Sequence, residues 1–418
     1  MIASVSVREP QTLPESESRL SDGSAGIVPS QGLAEAIDRG WISSGRYLIP
    51  ANSIQPASLD LRLGARAWAL RCSFLPDAGS SVVEKVEDIA QDTIDIRDGY
   101  TLERDRPYLI ELLEEVALPQ TMRAKANPKS STGRLDVFTR VITDRHNRFD
   151  DIPAGYTGKL YLEVVPRSFA VRVQEHLSLN QLRLVHGDPR IPDADLPEVH
   201  RETPLLYRDA EAVPPNELAI ADGLFLSVDL KGFGGRRPPI VGYRAKRNSH
   251  RLDMAKIREY HWRDYWEPVH AERGGRVVLD PEVFYLLLSR EGVCVPPDYA
   301  AEMTAYDPTA GELRTHYAGF FDPGFGYDAT GRRPGSRAAL EVRARDVPFM
   351  VEHGQPICKL AFEQMIERPD QLYGEDVGSN YQGQETMLSK HFAAQTAGRA
   401  AAAGGADEAD LPRSANLF

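Results

Sequence analysis

Ser58-Leu59-Asp60-Leu61-Arg62 recurs further along the chain as Ser227-Val228-Asp229-Leu230-Lys231. The match opens an ordered series. Tyr108-Leu109-Ile110, then Val116-Ala117-Leu118-Pro119, recurs as Tyr285-Leu286-Leu287, then Val293-Cys294-Val295-Pro296. Leu162-Glu163-Val164 returns as Leu340-Glu341-Val342, and Glu175-His176-Leu177 as Glu352-His353-Gly354. The order is kept at an offset of roughly 170 to 178 residues, so the chain reads as a duplicated unit. Its apolar runs are short and punctuated by Pro and Gly, as in 58–63, 108–112, 159–164 and 170–173. Runs of that length predict strands, and so many of them predict an all-β barrel or sandwich. Few helices are predicted. One opens at Ser30 as N-cap with Leu33, Ala36 and Ile37 on one face, and a second covers Asp253 to Trp262.

The repeat sets the domain plan. Residues 1–24, rich in Ser, Glu and Pro, read as a loose tail, and 25–190 as the first β-domain. A Pro- and Asp-rich linker covers 191–215. The second domain, 216–392, carries an Arg- and aromatic-rich insertion at 232–276 and ends in a C-terminal arm. The insertion is expected to be a helical decoration packing Tyr260, Trp262 and Trp266 on the barrel. The Ala- and Gly-rich end, 393–418, reads as disordered. With 418 residues and 42% hydrophobic side chains the chain has material for two cores. A net charge of −12 argues against a general nucleic-acid coat. No apolar run approaches the roughly 18 residues of a membrane helix. Cys72, Cys294 and Cys358 make neither a CxxC pair nor a disulfide framework, which points to a reducing, cytoplasmic setting.

Ile54-Gln55-Pro56-Ala57-Ser58-Leu59-Asp60-Leu61-Arg62-Leu63-Gly64 resembles the first signature of the dCTP deaminase family, which has the dUTPase-like β-barrel. Lys129-Ser130-Ser131-Thr132-Gly133-Arg134-Leu135 resembles the family's phosphate loop, R-S-S-x-x-R-L. Tyr317-Ala318-Gly319-Phe320-Phe321-Asp322-Pro323-Gly324-Phe325 resembles its deoxynucleoside hairpin. Leu340-Glu341 and Leu162-Glu163 both resemble the Leu-Glu pair that carries its general base. Tyr381-Gln382-Gly383-Gln384, followed by Ser389-Lys390, resembles the arm that closes over the nucleotide. Three departures stand out. Lys129 replaces the usual Arg and loses its bidentate fork, Tyr327 to Arg337 is inserted between hairpin and glutamate, and the chain is about twice the family's usual length. The resemblance implies a mainly β chain of two tandem dUTPase-like barrels, each a distorted jelly roll, with few short helices. It further implies hydrolytic deamination of dCTP to dUTP and ammonia, serving dUTP and dTTP biosynthesis. The implied cofactor is Mg²⁺ carried on the triphosphate, with no zinc, and the implied assembly is a homotrimer.

Deamination needs a water aimed at C4 of the base, a group to take its proton and a proton for the leaving ammonia. Glu341 is the first choice for that group and Glu163 the second; the plain alternative for each is a solvent-facing glutamate on a strand. Ser130 would act at the catalytic water and Ser131 at the phosphates, where the alternative is an ordinary serine turn. Lys129 and Arg134 would offset triphosphate charge. Ala318 and Asp322 would hold the nucleoside, Asp322 through the 3′-hydroxyl. Phe320 or Phe321 would crowd C2′ or simply pack. Tyr381 and Gln384 would act from the arm. The repeats differ in a complementary way. The first keeps the serine loop but has Pro153 where the hairpin aspartate belongs, and the second keeps the hairpin but reads Asp307-Pro308-Thr309-Ala310-Gly311-Glu312 at the loop position. A composite site follows, with phosphates on repeat one and the deoxycytidine and base on repeat two. Zinc deamination is the competing chemistry, since His200-Arg201-Glu202 and His270-Ala271-Glu272 match H-x-E, but no P-C-x-x-C half accompanies either. The alternatives carried are a bifunctional enzyme giving dUMP and pyrophosphate, and a non-catalytic nucleotide sensor. The expected partners are dCTP, dTTP as a candidate inhibitor, and further copies of the chain, with no nucleic acid and no membrane.

Overall fold

The computed structural model describes residues 24–233, 238–305, 313–315, 319–328, 335–374, 381 and 387–393. The expected tails, apart from Ser24 and Ala393, and the 307–312 segment lie outside them. In the first repeat ten strands form one sheet that curls into a nearly closed barrel. Its path runs from Val137–Ile142 through Thr157–Pro166, Tyr108–Ala117, Leu59–Leu70, Ser178–His186 and Met122–Pro128 to Asp151–Ile152. Side chains two apart along a strand share a face. Leu59, Leu61 and Leu63 are wholly buried in this way, as are Leu160, Leu162 and Val164. The second repeat splits into a seven-stranded and a four-stranded sheet around its own apolar core.

The duplication is visible in strand register. Leu162 and Glu163 pair with Ile110 and Leu109, and Leu340 and Glu341 pair with Leu287 and Leu286. Leu182 pairs with Ala126, and Leu360 with Met303. The opening motif is the exception. Leu59, Asp60 and Leu61 pair with Leu182, Gln181 and Asn180, whereas their counterparts opposite Leu360, Lys359 and Cys358 are Leu224, Phe225 and Leu226. The main-chain N–H of Arg62 donates to Glu114 at 2.6 Å and that of Ser227 to Glu291 at 2.8 Å. Arg62 and Ser227 are therefore equivalent, and Ser227-Val228-Asp229-Leu230-Lys231 lies four residues out of step. A five-residue likeness carries less register information than a buried carboxylate that fixes one N–H.

The helix Ser30–Asp38 forms as expected, although its N-cap is Pro29, without a side-chain cap. A second helix, Val82–Ile89, is closed by the Ser81–Glu84 capping box, a local signal written in Ser81-Val82-Val83-Glu84. The stretch expected as a linker is structured. Leu196–Glu202 is helical, Leu206–Arg208 pairs with Phe284–Val293, and Leu196, Leu205 and Val213 are buried in the second core. The insertion holds strands rather than the expected helix over 253–262. Leu252–Asp253 pairs in parallel with Val171–Arg172 of repeat one, Gly242–Ala245 pairs with Trp266–Val269, and Trp262–Asp264 forms one short 3₁₀ turn. Its aromatic packing is as expected. The Trp266 ring lies 5.3 Å from Phe169 of repeat one, 6.1 Å from Phe284 of repeat two and 6.3 Å from Phe392 of the arm. Trp266→Ala is expected to cost about 3 kcal/mol, the low end for a buried Trp because its buried Nε1 finds no acceptor among the described residues. The check is a shift of the denaturant midpoint at unchanged slope. No helix among the described residues is long and apolar enough to cross a membrane.

Candidate active site

The strand Met122–Pro128 ends in Lys129, extended at φ −66°, and the chain then makes one helical turn, Ser130–Gly133. The N–H groups of Thr132 and Gly133 both donate to the Lys129 carbonyl, at 2.8 and 3.1 Å. Asp136, at φ +57°, turns the chain into the next strand. Aspartate tolerates that left-handed conformation better than most side chains. The turn buries Ser131, Thr132 and Gly133 and leaves Ser130 at the rim. It is a helical turn rather than the loop the motif suggested.

The arm lies on this turn. Ser389 Oγ donates to the Ser131 carbonyl at 2.9 Å, and Arg134 donates to the Met387 carbonyl at 3.3 Å. The Arg134 guanidinium sits 3.7 Å from the centroid of the Tyr381 ring, a cation–π contact. The Lys390 N–H donates to the Tyr381 hydroxyl at 3.2 Å. From behind, the insertion holds the arm through Arg258 N–H to the Lys390 carbonyl and Glu259 N–H to the His391 carbonyl. Lys129 is ion-paired to Asp60 of the first motif. Burial, then the neighbouring Lys129, pushes the Lys390 ammonium below its usual pKa. Lys129, Arg134 and Lys390 thus gather at one place, a cationic patch in a chain of net negative charge.

Glu341 reaches the same place from repeat two, on the strand Ser336–Ala344. A Cβ added at Gly133 would stand 2.5 Å from Glu341 Oε2 and 2.8 Å from Oε1, so the carboxylate packs directly on the glycine. Burial pushes the Glu341 carboxyl well above the ordinary glutamate range; Arg134 opposes this and Asp136 adds to it. Asp136 is itself buried, ion-paired to Arg343 and accepting from Ser168 Oγ at 2.5 Å. Asp322, on the repeat-two hairpin, accepts from Arg183 at 3.0 Å and from Ser58 Oγ at 3.4 Å. Burial raises its pKa and Arg183 opposes the rise.

Glu163 stands apart. It is wholly buried, and Arg140, directly opposite it in the sheet, holds it in an ion pair. The Arg140 guanidinium lies between the rings of Phe138 and Phe149, at 4.5 and 3.6 Å. Glu163 faces a cleft of about 470 Å³ whose lining includes no residue of the 129–134 turn. Of the residues singled out in the sequence, Lys129, Ser130, Ser131, Arg134, Asp322, Glu341 and Tyr381 converge on one region. Glu163 does not, and Ala318 and Gln384 lie outside the described residues. Sequence reasoning missed Asp60 as the partner of Lys129, and also Asp136, Arg183 and Arg343, whose partners are all remote in sequence. The H-x-E histidine His200 is a core residue: one ring nitrogen meets the Val213 carbonyl at 2.7 Å and the other accepts from Leu205 N–H at 3.0 Å.

Fold and site together define a duplicated dUTPase-like barrel protein whose buried carboxylate faces a cationic helical turn. The profiles of the N-terminal and C-terminal domains of 2′-deoxycytidine 5′-triphosphate deaminase match residues 24–188 and 192–392, and the chain belongs to the dCTP deaminase family. The crystal structure of 2′-deoxycytidine 5′-triphosphate deaminase from Agrobacterium tumefaciens is similar with a TM-score of 0.76 and 44% identity, over 82% of this chain and 99% of that one. A dUMP-forming dCTP deaminase of Methanoculleus marisnigri is 33% identical over 140 residues, which are 32% of this chain and 68% of the relative. A dCTP deaminase of Haloarcula marismortui is 32% identical over 125 residues, 29% of this chain and 59% of the relative. A dUMP-forming dCTP deaminase of Coprothermobacter proteolyticus is 29% identical over 123 residues, 29% of this chain and 60% of its own length.

Proposed function

We propose that this chain deaminates dCTP hydrolytically, giving dUTP and ammonia, at a composite site with Glu341 as the general base and without zinc. The observation that carries the reading is the packing of the repeat-two Glu341 carboxylate on Gly133 of the repeat-one cationic turn. In the reaction, Glu341 takes a proton from water as the oxygen bonds to C4, and passes it to N3. It then takes the proton of the new C4 hydroxyl and delivers it to the amino group. The C4–N bond breaks, ammonia leaves and a C4 carbonyl remains, so one water is consumed per ammonia. A carboxyl whose pKa is raised toward neutrality can both take and return that proton.

Lys129, Arg134 and Lys390 would bind the triphosphate, with Ser130 and Ser131 adding hydroxyl and N–H donors. Asp322 would accept from the 3′-hydroxyl. Tyr381 and Gln384 would close the arm over the nucleotide. Among the described residues no group of three His, Cys, Asp or Glu side chains could hold a cation. Mg²⁺ would bind through phosphate oxygens and water and supply charge neutralisation there. The turn that carries Ser130 and Arg134 meets Glu341 within one polypeptide. Homotrimerisation remains our proposal for assembly, read by light scattering.

The direct test is ammonia release from dCTP with Mg²⁺. Absence of ammonia with the wild-type chain would sink the reading. Relatives named as dUMP-forming favour a second product set, so pyrophosphate is measured in the same reaction: one pyrophosphate per ammonia identifies dUMP formation, and none identifies dUTP. The pH profile is expected to lose rate as acidity protonates Glu341. Asp136→Asn removes a negative charge that disfavours ionised Glu341. The loss of that charge lowers the Glu341 pKa, so the acid limb should move to lower pH. An unmoved limb would separate Asp136 from the base.

A further inference from the structure

We propose that Arg183 is the positioning residue that sets sugar selection: a repeat-one side chain holding the repeat-two hairpin in the conformation that accepts a 2′-deoxyribose. The inference rests on the deaminase reading above, in which Asp322 meets the sugar.

Arg183 lies on the strand Ser178–His186 and is wholly buried, yet its guanidinium is spent on the other repeat. It donates to Asp322 Oδ1 at 3.0 Å, to the Phe321 carbonyl at 3.5 Å and to the Ala301 carbonyl at 3.3 Å. Its planar face lies 4.0 Å from the centroid of the Phe320 ring. Three successive hairpin residues, Phe320, Phe321 and Asp322, are thereby fixed by one fork. A fifth contact, to Glu363 Oε2 at 3.2 Å, holds the guanidinium from behind, and Glu363 is itself held by Lys125 at 3.0 Å.

Two features separate this role from plain stabilisation. A buried ion pair repays its desolvation only when every polar atom is satisfied, and Arg183 Nε, buried, has no acceptor among the described residues. Three of its five contacts also fall on consecutive residues of one functional segment, Phe320, Phe321 and Asp322. With Asp322 Oδ1 on Arg183 and Oδ2 against Ser58, the carboxylate plane is fixed, and with it the direction from which a sugar hydroxyl can approach. The Phe320 ring cannot slide, because the guanidinium covers one face and the side chain is almost wholly buried. A residue that fixes both the hydroxyl acceptor and the adjacent ring governs how closely C2′ is crowded.

The test uses the full chain and compares dCTP with CTP. Arg183→Lys keeps the charge and most of the length but loses the fork. The expected result is a KM for dCTP raised about 10-fold and a dCTP/CTP preference in kcat/KM lowered by about 10- to 100-fold, the scale of losing a charge-assisted bond. The kcat for dCTP should change far less, since Glu341 is untouched. Glu363→Gln is the control. It removes the other carboxylate on Arg183 and leaves the hairpin contacts, so it should lower Tm and preserve the dCTP/CTP preference. The proposal is overturned if Arg183→Lys lowers Tm with KM and preference unchanged, if it fails to fold, or if Glu363→Gln relaxes the preference equally. Thermal shifts with dCTP and with CTP give the same comparison without turnover. A wild-type chain that releases no ammonia therefore sinks the deaminase reading, while the thermal shifts still decide the role of Arg183.

Discussion

Glu341→Gln is expected to cut ammonia release from dCTP by about 10³-fold or more while leaving dCTP binding in place, the scale expected for removing a positioned general base. Glutamine keeps the size and the hydrogen-bonding carbonyl but cannot take the water's proton. The same substitution should stabilise the protein at neutral pH. Burial raises the folded pKa of Glu341 above the unfolded value of about 4.3. The group's favourable contribution is then complete below the unfolded pKa and is lost as pH rises from there through the folded one. Replacing it by glutamine removes that loss, so Tm of the variant should exceed the wild type at pH 7 and converge with it near pH 4. Loss of activity together with a gain in Tm is a result that misfolding cannot produce. Glu163→Gln is the companion experiment. Its carboxylate is held by Arg140 at a cleft whose lining includes no residue of 129–134, so ammonia release should persist. An active Glu341→Gln beside a dead Glu163→Gln would place the base in repeat one.

Gly133→Ala is the second large effect, and its cause is purely steric. Gly133 sits in a helical turn, where alanine is intrinsically favoured over glycine. The backbone therefore accepts the change, and Tm should hold or rise slightly. The new methyl, however, would stand 2.5 Å from Glu341 Oε2, well inside contact. The carboxylate is the free end of a side chain and is the part that must move. A displacement of about 1 Å at a reacting group costs on the order of 10²-fold, so kcat should fall by that much with the fold intact, as read by circular dichroism and Tm. Wild-type turnover in Gly133→Ala would mean that the carboxylate works elsewhere than where it packs.

The strands are legible because their signal is local. Alternation in 58–63, 108–112 and 159–164 is a property of neighbours, and each run lies within or beside an observed strand. The insertion and the 191–215 stretch mislead for the opposite reason. Tyr265 and Trp266 take their place from Phe169 and Phe392, and Leu205, Leu206 and Val213 from the second core, and no local pattern encodes such partners. The opening motif misleads in register by the same logic, since Glu114 and Glu291 decide which N–H lies opposite.

By itself the sequence determined the duplicated β architecture, the cationic serine turn and the two candidate glutamates, all written in contiguous residues. It could not choose between Leu162-Glu163-Val164 and Leu340-Glu341-Val342, which are alike at every position that matters locally. The tertiary structure separates them by setting Arg140 against one carboxylate and Gly133, with Arg134 and Asp136, against the other. Desolvation and Coulomb interactions act through space, so a glutamate's pKa and reach belong to whatever the fold brings beside it.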